Sequence, residues 1–386
     1  MGLAYLGFIS LGLPDGLLGV AWPWVRTDFG VPLGSVGFVI LLGTIGYVLS
    51  SVTAGFLLAR LGVGRLLAGS TTLSCLGMAA FGSSRALAFA AAASLLIGLG
   101  SGAIDSGLNA YAASNFGARH MNWLHAAFGL GAMLGPLVMT AAVTSSWTWR
   151  WGYGAVATVL CLLAISFAVT ARLWDRGRRA AAETPPTPAK VRKTLGVPAV
   201  WLGVAMFGVY TGLEVAVGLW LYTLLTEARG LPPGQAGLCV SAYWGSLFAG
   251  RLLLGVAGDR LSPVRLVWAG LAGVGLGAAM LLPSAAATSV AGALVIGFAA
   301  APVFPMLTLI TSQRVGADHA DHAVGMQMGA AGLFGTVIPA GIGVLIGRAG
   351  GAVLGPAVVV LALVALGLFL VDRRRALDVR VVSTLD

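Results

Sequence analysis

Val31-Pro32-Leu33-Gly34-Ser35-Val36-Gly37 and Leu231-Pro232-Pro233-Gly234-Gln235-Ala236-Gly237 stand 200 residues apart, and the same offset carries Gly55, Arg60 and Arg65 onto Gly255, Arg260 and Arg265. A constant offset held this long means two copies of one structural unit. In a strongly apolar chain, two copies in the same order predict paired membrane bundles of parallel topology. A functional site is then to be sought between them.

Hydrophobic residues make up 58% of the 386-residue chain and charged residues 9%, with a mean hydropathy of +0.93. So little polar surface cannot solvate a globule of this length, and lipid is the expected solvent. The formal charge of +10 is spread over short clusters between apolar runs, which argues for membrane topology and against a nucleic-acid partner. Cys75, Cys161 and Cys239 lie singly in apolar runs, with no disulfide framework and no metal-ligand spacing. The N-terminal Met1-Gly2-Leu3-Ala4-Tyr5 has no basic region and its apolar stretch continues to Val25, the pattern of a first spanning helix rather than a cleaved signal.

Apolar runs long enough for a bilayer predict an all-α integral membrane protein with twelve transmembrane helices. Their cores fall at 3–25, 35–58, 66–82, 86–113, 122–144 and 152–173, then 197–225, 235–257, 264–283, 287–311, 324–347 and 352–371. The domain reading is a six-helix bundle over 1–173, a basic proline-broken linker over 174–196, a second six-helix bundle over 197–372 and a tail over 373–386. If the linker is cytoplasmic, alternate loops on its side, Arg251 included, hold 18 of the 23 basic residues, against Arg26, Arg85, Arg150, Arg229 and Arg348 opposite. The positive-inside rule then places both termini in the cytoplasm, in a multi-pass protein of the cytoplasmic (inner) membrane.

Of 13 acidic residues, only Asp15, Asp105 and Glu214 fall well inside predicted spans. A charged side chain at mid-bilayer costs about 2.5–3.5 kcal/mol on insertion scales, so such residues face a cavity or a partner. Low dielectric favours the neutral acid, which makes these three candidates to bind and release protons. Pro14 and Gly16 flank Asp15 and predict a broken first helix. Asp105 and Asn109, one turn apart on the fourth helix, form a polar ledge suited to a hydroxyl-rich ligand. A helix–helix hydrogen bond is the plainer alternative for that ledge. His125 near the start of the fifth helix suits either proton relay or a local structural bond. Trp22 and Trp220 suit either stacking on a sugar ring or anchoring at the membrane interface. Gln327 adds an amide from the second half. Asp318-His319-Ala320-Asp321-His322 resembles a metal cluster in composition only, and no metal or cofactor is expected.

The loop after the second helix reads Gly55-Phe56-Leu57-Leu58-Ala59-Arg60-Leu61-Gly62-Val63-Gly64-Arg65, and its repeat Gly255-Val256-Ala257-Gly258-Asp259-Arg260-Leu261-Ser262-Pro263-Val264-Arg265. Both resemble the loop between helices two and three of the major facilitator superfamily. The resemblance implies two pseudo-symmetric six-helix bundles and a conformational latch made by Arg60, Arg65, Asp259, Arg260 and Arg265, with Ala59 standing where the first-half acid is usual. Asp15, the Asp105 and Asn109 pair and the run Asn122-Trp123-Leu124-His125-Ala126 resemble the fucose permease branch of that superfamily. That branch implies sugar and proton symport, with acids of the first and fourth helices in coupling and recognition. The fourth-helix acid is one methylene longer in the fucose carrier, so no particular sugar carries over.

The function expected is secondary active transport of a small polar solute, a sugar first, coupled to protons by alternating access, with sodium as the alternative cation. Proton coupling falls to Asp15, Asp105 and Glu214, and substrate binding to these with Asn109, His125, Trp22, Trp220 and Gln327. The rival reading on the same fold is proton-coupled export of drugs or other amphipathic compounds. A receptor or scaffold leaves three intramembrane acids without a use. No nucleophile elbow, His-Glu-x-x-His or Walker loop points to an enzyme. The expected partners are the solute, the coupling cation and the bilayer, with the chain a monomer.

Overall fold

The computed structural model describes residues 1–115, 118–145, 147–174, 191–257 and 261–383. Its elements are α1 (Gly2–Phe29), α2 (Val36–Leu61), α3 (Val63–Ser83), α4 (Leu87–Asn115), α5 (Ala118–Thr144), α6 (Trp149–Trp174), α7 (Val191–Leu195), α8 (Pro198–Thr223), α9 (Pro233–Ala257), α10 (Pro263–Ala279), α11 (Ala286–Ala300), α12 (Val303–Val315), α13 (Ala317–Ala349) and α14 (Leu354–Ser383). Eleven helical spans among the described residues are long and apolar enough to cross a bilayer, with α11 and α12 together forming one of them. The twelfth member is α10, whose 17 residues reach about 25 Å at 1.5 Å per residue. Large apolar side chains cover the outside, Phe89, Val169 and Val256 among them. Such a surface is stable only in lipid, where helices satisfy their own backbone groups.

The duplication survives in the packing. In the first bundle α1 lies on α5, α2 on α4, and α3 on both α4 and α6; in the second α8 lies on α13, α9 on α11, and α10 on both α11 and α14. These are the same pairings shifted by one copy. Between the copies α5 meets α9, α2 meets α13 and α1 meets α8, so the seam obeys the pseudo-twofold as well.

Two expectations about helix breaks are reversed. The first helix is continuous through Pro14 and Pro23. A Cβ on Gly12 or Gly16 would overlap the α5 backbone at Phe128 and Ala132, and one on Gly131 or Gly135 would overlap the α1 backbone at Ile9 and Leu13. Backbone contact along this crossing backs α1, which continues as one helix although Pro14 lacks its N–H. The break falls instead in the tenth span, where Ala301 and Pro302 separate α11 from α12 and Pro305 removes a further donor. Within the segment read as a plain linker, α7 forms one short helix tied to α13 by a 2.9 Å hydrogen bond between Thr194 and His319.

Among the described residues the seam is closed at one end only. At the end away from the termini, Gly19 lets α1 approach the α8 backbone at Gly218 and Leu219, and Arg26 pairs with Glu227 at 3.3 Å. Midway, Thr44 bonds Thr336 at 2.7 Å and Ser241 donates to the Met133 carbonyl at 2.7 Å. Toward the termini contact stops on the same helix faces: Val48 and Val52 are exposed, and a Cβ on Gly325 or Gly329 would meet nothing within 4 Å. A hollow therefore opens between the bundles toward the end that holds both termini.

Candidate functional site

The first-half wall of the hollow is built by α1, α2, α4 and α5. Asp105 is oriented from two sides: the Tyr47 hydroxyl donates to Oδ2 at 2.5 Å and Asn109 Nδ2 donates to Oδ1 at 2.8 Å. The ledge expected from the one-turn spacing is real, and α2 completes it. Asp15, one helix away, is exposed and has no hydrogen bond or ion pair among the described residues. It lies within electrostatic reach of Tyr47, the residue that also holds Asp105. His125 is exposed, rests edge-on against Phe8 with ring centroids 5.4 Å apart, and lies within reach of both Asp105 and Arg251. It thus stands between the two halves.

The second-half wall carries a different chemistry. Glu214 of α8 faces Arg251 of α9 at 3.6 Å, with side chains 13% and 19% exposed. Tyr210, one turn before Glu214, donates to its carboxyl and also lies 2.7 Å from the Ala300 carbonyl at the end of α11. Tyr243 of α9 donates to the Glu214 backbone carbonyl at 3.0 Å. One wall therefore offers two acids without a cation, the other an acid and a cation in balance.

Other residues expected at the site lie elsewhere. Trp22 and Trp220 are fully buried at the closed end, their Nε1 groups donating to the carbonyls of Leu33 at 2.7 Å and Pro339 at 2.8 Å. They peg each bundle and do not reach the hollow. Gln327 has no exposure; its Oε1 accepts from Thr311 at 3.1 Å, beside the buried pair of Arg314 and Asp372 in the interior of the second bundle. Burial in helix packing removes it from the wall. Arg60, Arg65 and Arg265 are exposed at the open end with no ion pair among the described residues, and Arg60 lies over the Phe56 ring at 4.2 Å from its centroid. Asp259 and Arg260 lie outside the described residues. Glycine-rich α5 makes the α1 crossing, as packing rather than phosphate binding requires.

Tyr47 against Asp105, and Tyr210, Tyr243 and Arg251 around Glu214, were not among the expected residues. The basic-residue count placed Arg251 and Arg314 with the loops, and Asp372 fell among the ten acids expected in loops, tails or helix ends. In the structure Arg251 sits two turns inside α9, and Arg314 and Asp372 are buried against each other. The available signal for Arg251 was its place within a predicted span, six residues before that span ends. The tyrosines carried none, since a hydroxyl is no more costly in a span than its ring is favourable.

A twelve-span duplicated bundle with acids at its seam defines an α-helical membrane transporter. The profile of the Major Facilitator Superfamily matches residues 4–232 and 202–382, and the chain belongs to that family. Among solved structures it is similar to a mutant of the nucleoside transporter NupG, with a TM-score of 0.74 and 14% identity over 96% of this chain and 98% of that one. It is also similar to the transporter FucP in its outward conformation, with a TM-score of 0.63 and 15% identity over 97% and 98%. No curated protein sequence matches it.

Proposed function

We propose that the protein is a proton-driven secondary transporter of a small polar solute that bears a sugar or a similar set of hydroxyls. The observation that supports this reading is the convergence of Asp15 and the Tyr47–Asp105–Asn109 group on one hollow between the bundles. Asp105 and Asn109, fixed by each other and by Tyr47, present acceptors and an amide to ligand hydroxyls; Asp15, held by nothing, is free to take up and release a proton. The resemblance to nucleoside and FucP-type carriers points to the same solutes. Rocking of the bundles about the seam would expose the site alternately, and the latch of Arg60, Arg65, Asp259, Arg260 and Arg265 would form when the open end closes. The asymmetry of basic residues supports assigning that end to the cytoplasm, with the protein in the inner membrane, and the same proposal takes it to act as a monomer.

Proteoliposomes given a panel of sugars and nucleosides test this under imposed proton or sodium gradients. Uptake against a gradient is expected with acid outside. Asp15→Asn should abolish accumulation and spare exchange; full concentrative uptake by that variant ends the scheme. A second reading, export of amphipathic compounds, draws support from a groove of about 480 Å³ between α8 and α13 lined by Trp201, Val204, Met326, Leu333 and Phe334. Resistance to such compounds on expression, with no uptake of any panel member, favours it.

A further inference from the structure

Cys75 and Cys161 stand singly and far apart in the chain, and the fold brings them together near the middle of α3 and α6. These helices run antiparallel in close contact: a Cβ on Gly64 would overlap the backbone of Ala171, and one on Gly82 would lie 3.2 Å from the Tyr153 Cβ. In both pairs the residue numbers add to 235, which sets position 75 opposite 160 and so beside Cys161. The Cys75 thiol obeys this register. It donates to the Ala157 carbonyl of α6 at 3.2 Å, one turn before Cys161, and the two thiols lie within hydrogen-bonding reach of each other. The Cβ separation at Gly82 is close to the roughly 3.5–4.5 Å that a disulfide spans.

The pair faces acyl chains. Cys161 is exposed, as are Leu76 of α3 and Val159, Leu162 and Ile165 of α6, and α6 packs on α1, α3 and α5 of its own bundle. Both sulfurs fall near the midpoints of their helices, the depth at which charge is most costly. Thiolate attack, the usual route of cysteine chemistry, needs an ion there; hydrogen-atom transfer does not. We propose that Cys75 and Cys161 form a dithiol that is closed to an intramolecular disulfide by neutral oxidants dissolved in the bilayer, lipid peroxyl radicals. One peroxyl radical takes the hydrogen of exposed Cys161 and becomes a hydroperoxide. The sulfur radical left behind recovers a hydrogen from Cys75, a second peroxyl radical takes that one, and the two sulfur radicals join. Two S–H bonds break, two O–H bonds and one S–S bond form, and no charge appears at any step. Each sulfur is oxidised by one electron and each peroxyl radical is reduced by one. The bridge staples α3 to α6 and removes loop entropy from the unfolded chain. Because it lies within one bundle, away from the seam, it does not rest on the transport reading.

The full chain, at one copy per nanodisc of polyunsaturated phospholipid, is treated under air with a lipid-soluble azo initiator, digested and read by mass spectrometry. The peptides that carry Cys75 and Cys161 should be found joined, with the loss of two hydrogens, while Cys239 of α9 stays unlinked to either. The same discs under argon, where no peroxyl radical forms, should keep both thiols, as should discs given tetrathionate, an ionic oxidant confined to water. The bridged protein should melt several degrees higher and return to its starting value on reduction. Cys161→Ala, changed on a lipid-facing surface, should show neither the joined peptides nor the reversible shift; if it does not fold, the comparison of oxidants on the wild type decides alone. Free thiols after the initiator, or sulfurs oxidised separately with no bridge, overturn the proposal. Closure by tetrathionate as fast as by the initiator also overturns it, because water and thiolate would then reach the pair.

Discussion

Asp15 and Asp105 are one helix apart and do different work because their neighbours differ. Asp105 spends both carboxyl oxygens on Tyr47 and Asn109 and is therefore a rigid acceptor, whereas Asp15 has nothing to hold it. Removing the Tyr47 hydroxyl frees one Asp105 oxygen to turn from the hollow. Tyr47→Phe should weaken solute binding by roughly fivefold to tenfold, about 1–1.4 kcal/mol, the net worth of one hydrogen bond. Because Tyr47 is exposed, the melting temperature should barely move. Equilibrium binding beside a thermal melt separates the two effects; a large loss of stability with unchanged affinity would reassign Tyr47 to packing.

Among the helices, the α1–α5 crossing shows how small residues override a local signal. Pro14 and Gly16 favour a break in isolation, yet four glycines bring two backbones into contact and α1 continues as one helix. Gly131→Val would push a branched side chain against the Ile9 carbonyl and should cost roughly 1–3 kcal/mol as overpacking. Gly255→Ala, where a Cβ meets nothing within 4 Å, should be neutral and serves as its control. Thermal unfolding in one detergent compares them, and equal melting temperatures would mean that the crossing is looser than described. The break between α11 and α12 was equally present as Ala301, Pro302 and Pro305 in an apolar run. Prolines within a span are compatible with both outcomes, and the neighbouring helix decides between them.

For the molecule as a whole, closure at one end and separation at the other make a state that can be trapped. A Cβ on Gly37 of α2 would lie 3.1 Å from the Ala340 Cβ of α13, a little under the spacing of about 3.5–4.5 Å that a disulfide spans. Gly37→Cys with Ala340→Cys should therefore oxidise readily, hold the seam shut at that end and stop transport until a reductant is added. Free transport by the oxidised protein would show that this end does not open in the cycle. The ion pair of Arg26 and Glu227 at the same end is partly exposed and worth at most about 1 kcal/mol. Glu227→Gln should thus change the rate of opening by no more than a few fold in a stopped-flow accessibility assay.

The duplication, the span count and the three intramembrane acids were legible in the residues alone, because the bilayer imposes length and polarity on each segment separately. Asp15 and the Asp105–Asn109 pair were singled out as candidates for that reason. The pegs Trp22 and Trp220, the buried Gln327 and Tyr210 and the wall residues Tyr47 and Arg251 could not be sorted so, since each belongs to an apolar span whichever way it points. Which face of a helix meets a hollow is set by the helix packed against it, 58 residues away for Tyr47 and Asp105 and 90 for Tyr210 and Ala300. That is a property of the assembled bundles, and only their packing decided it.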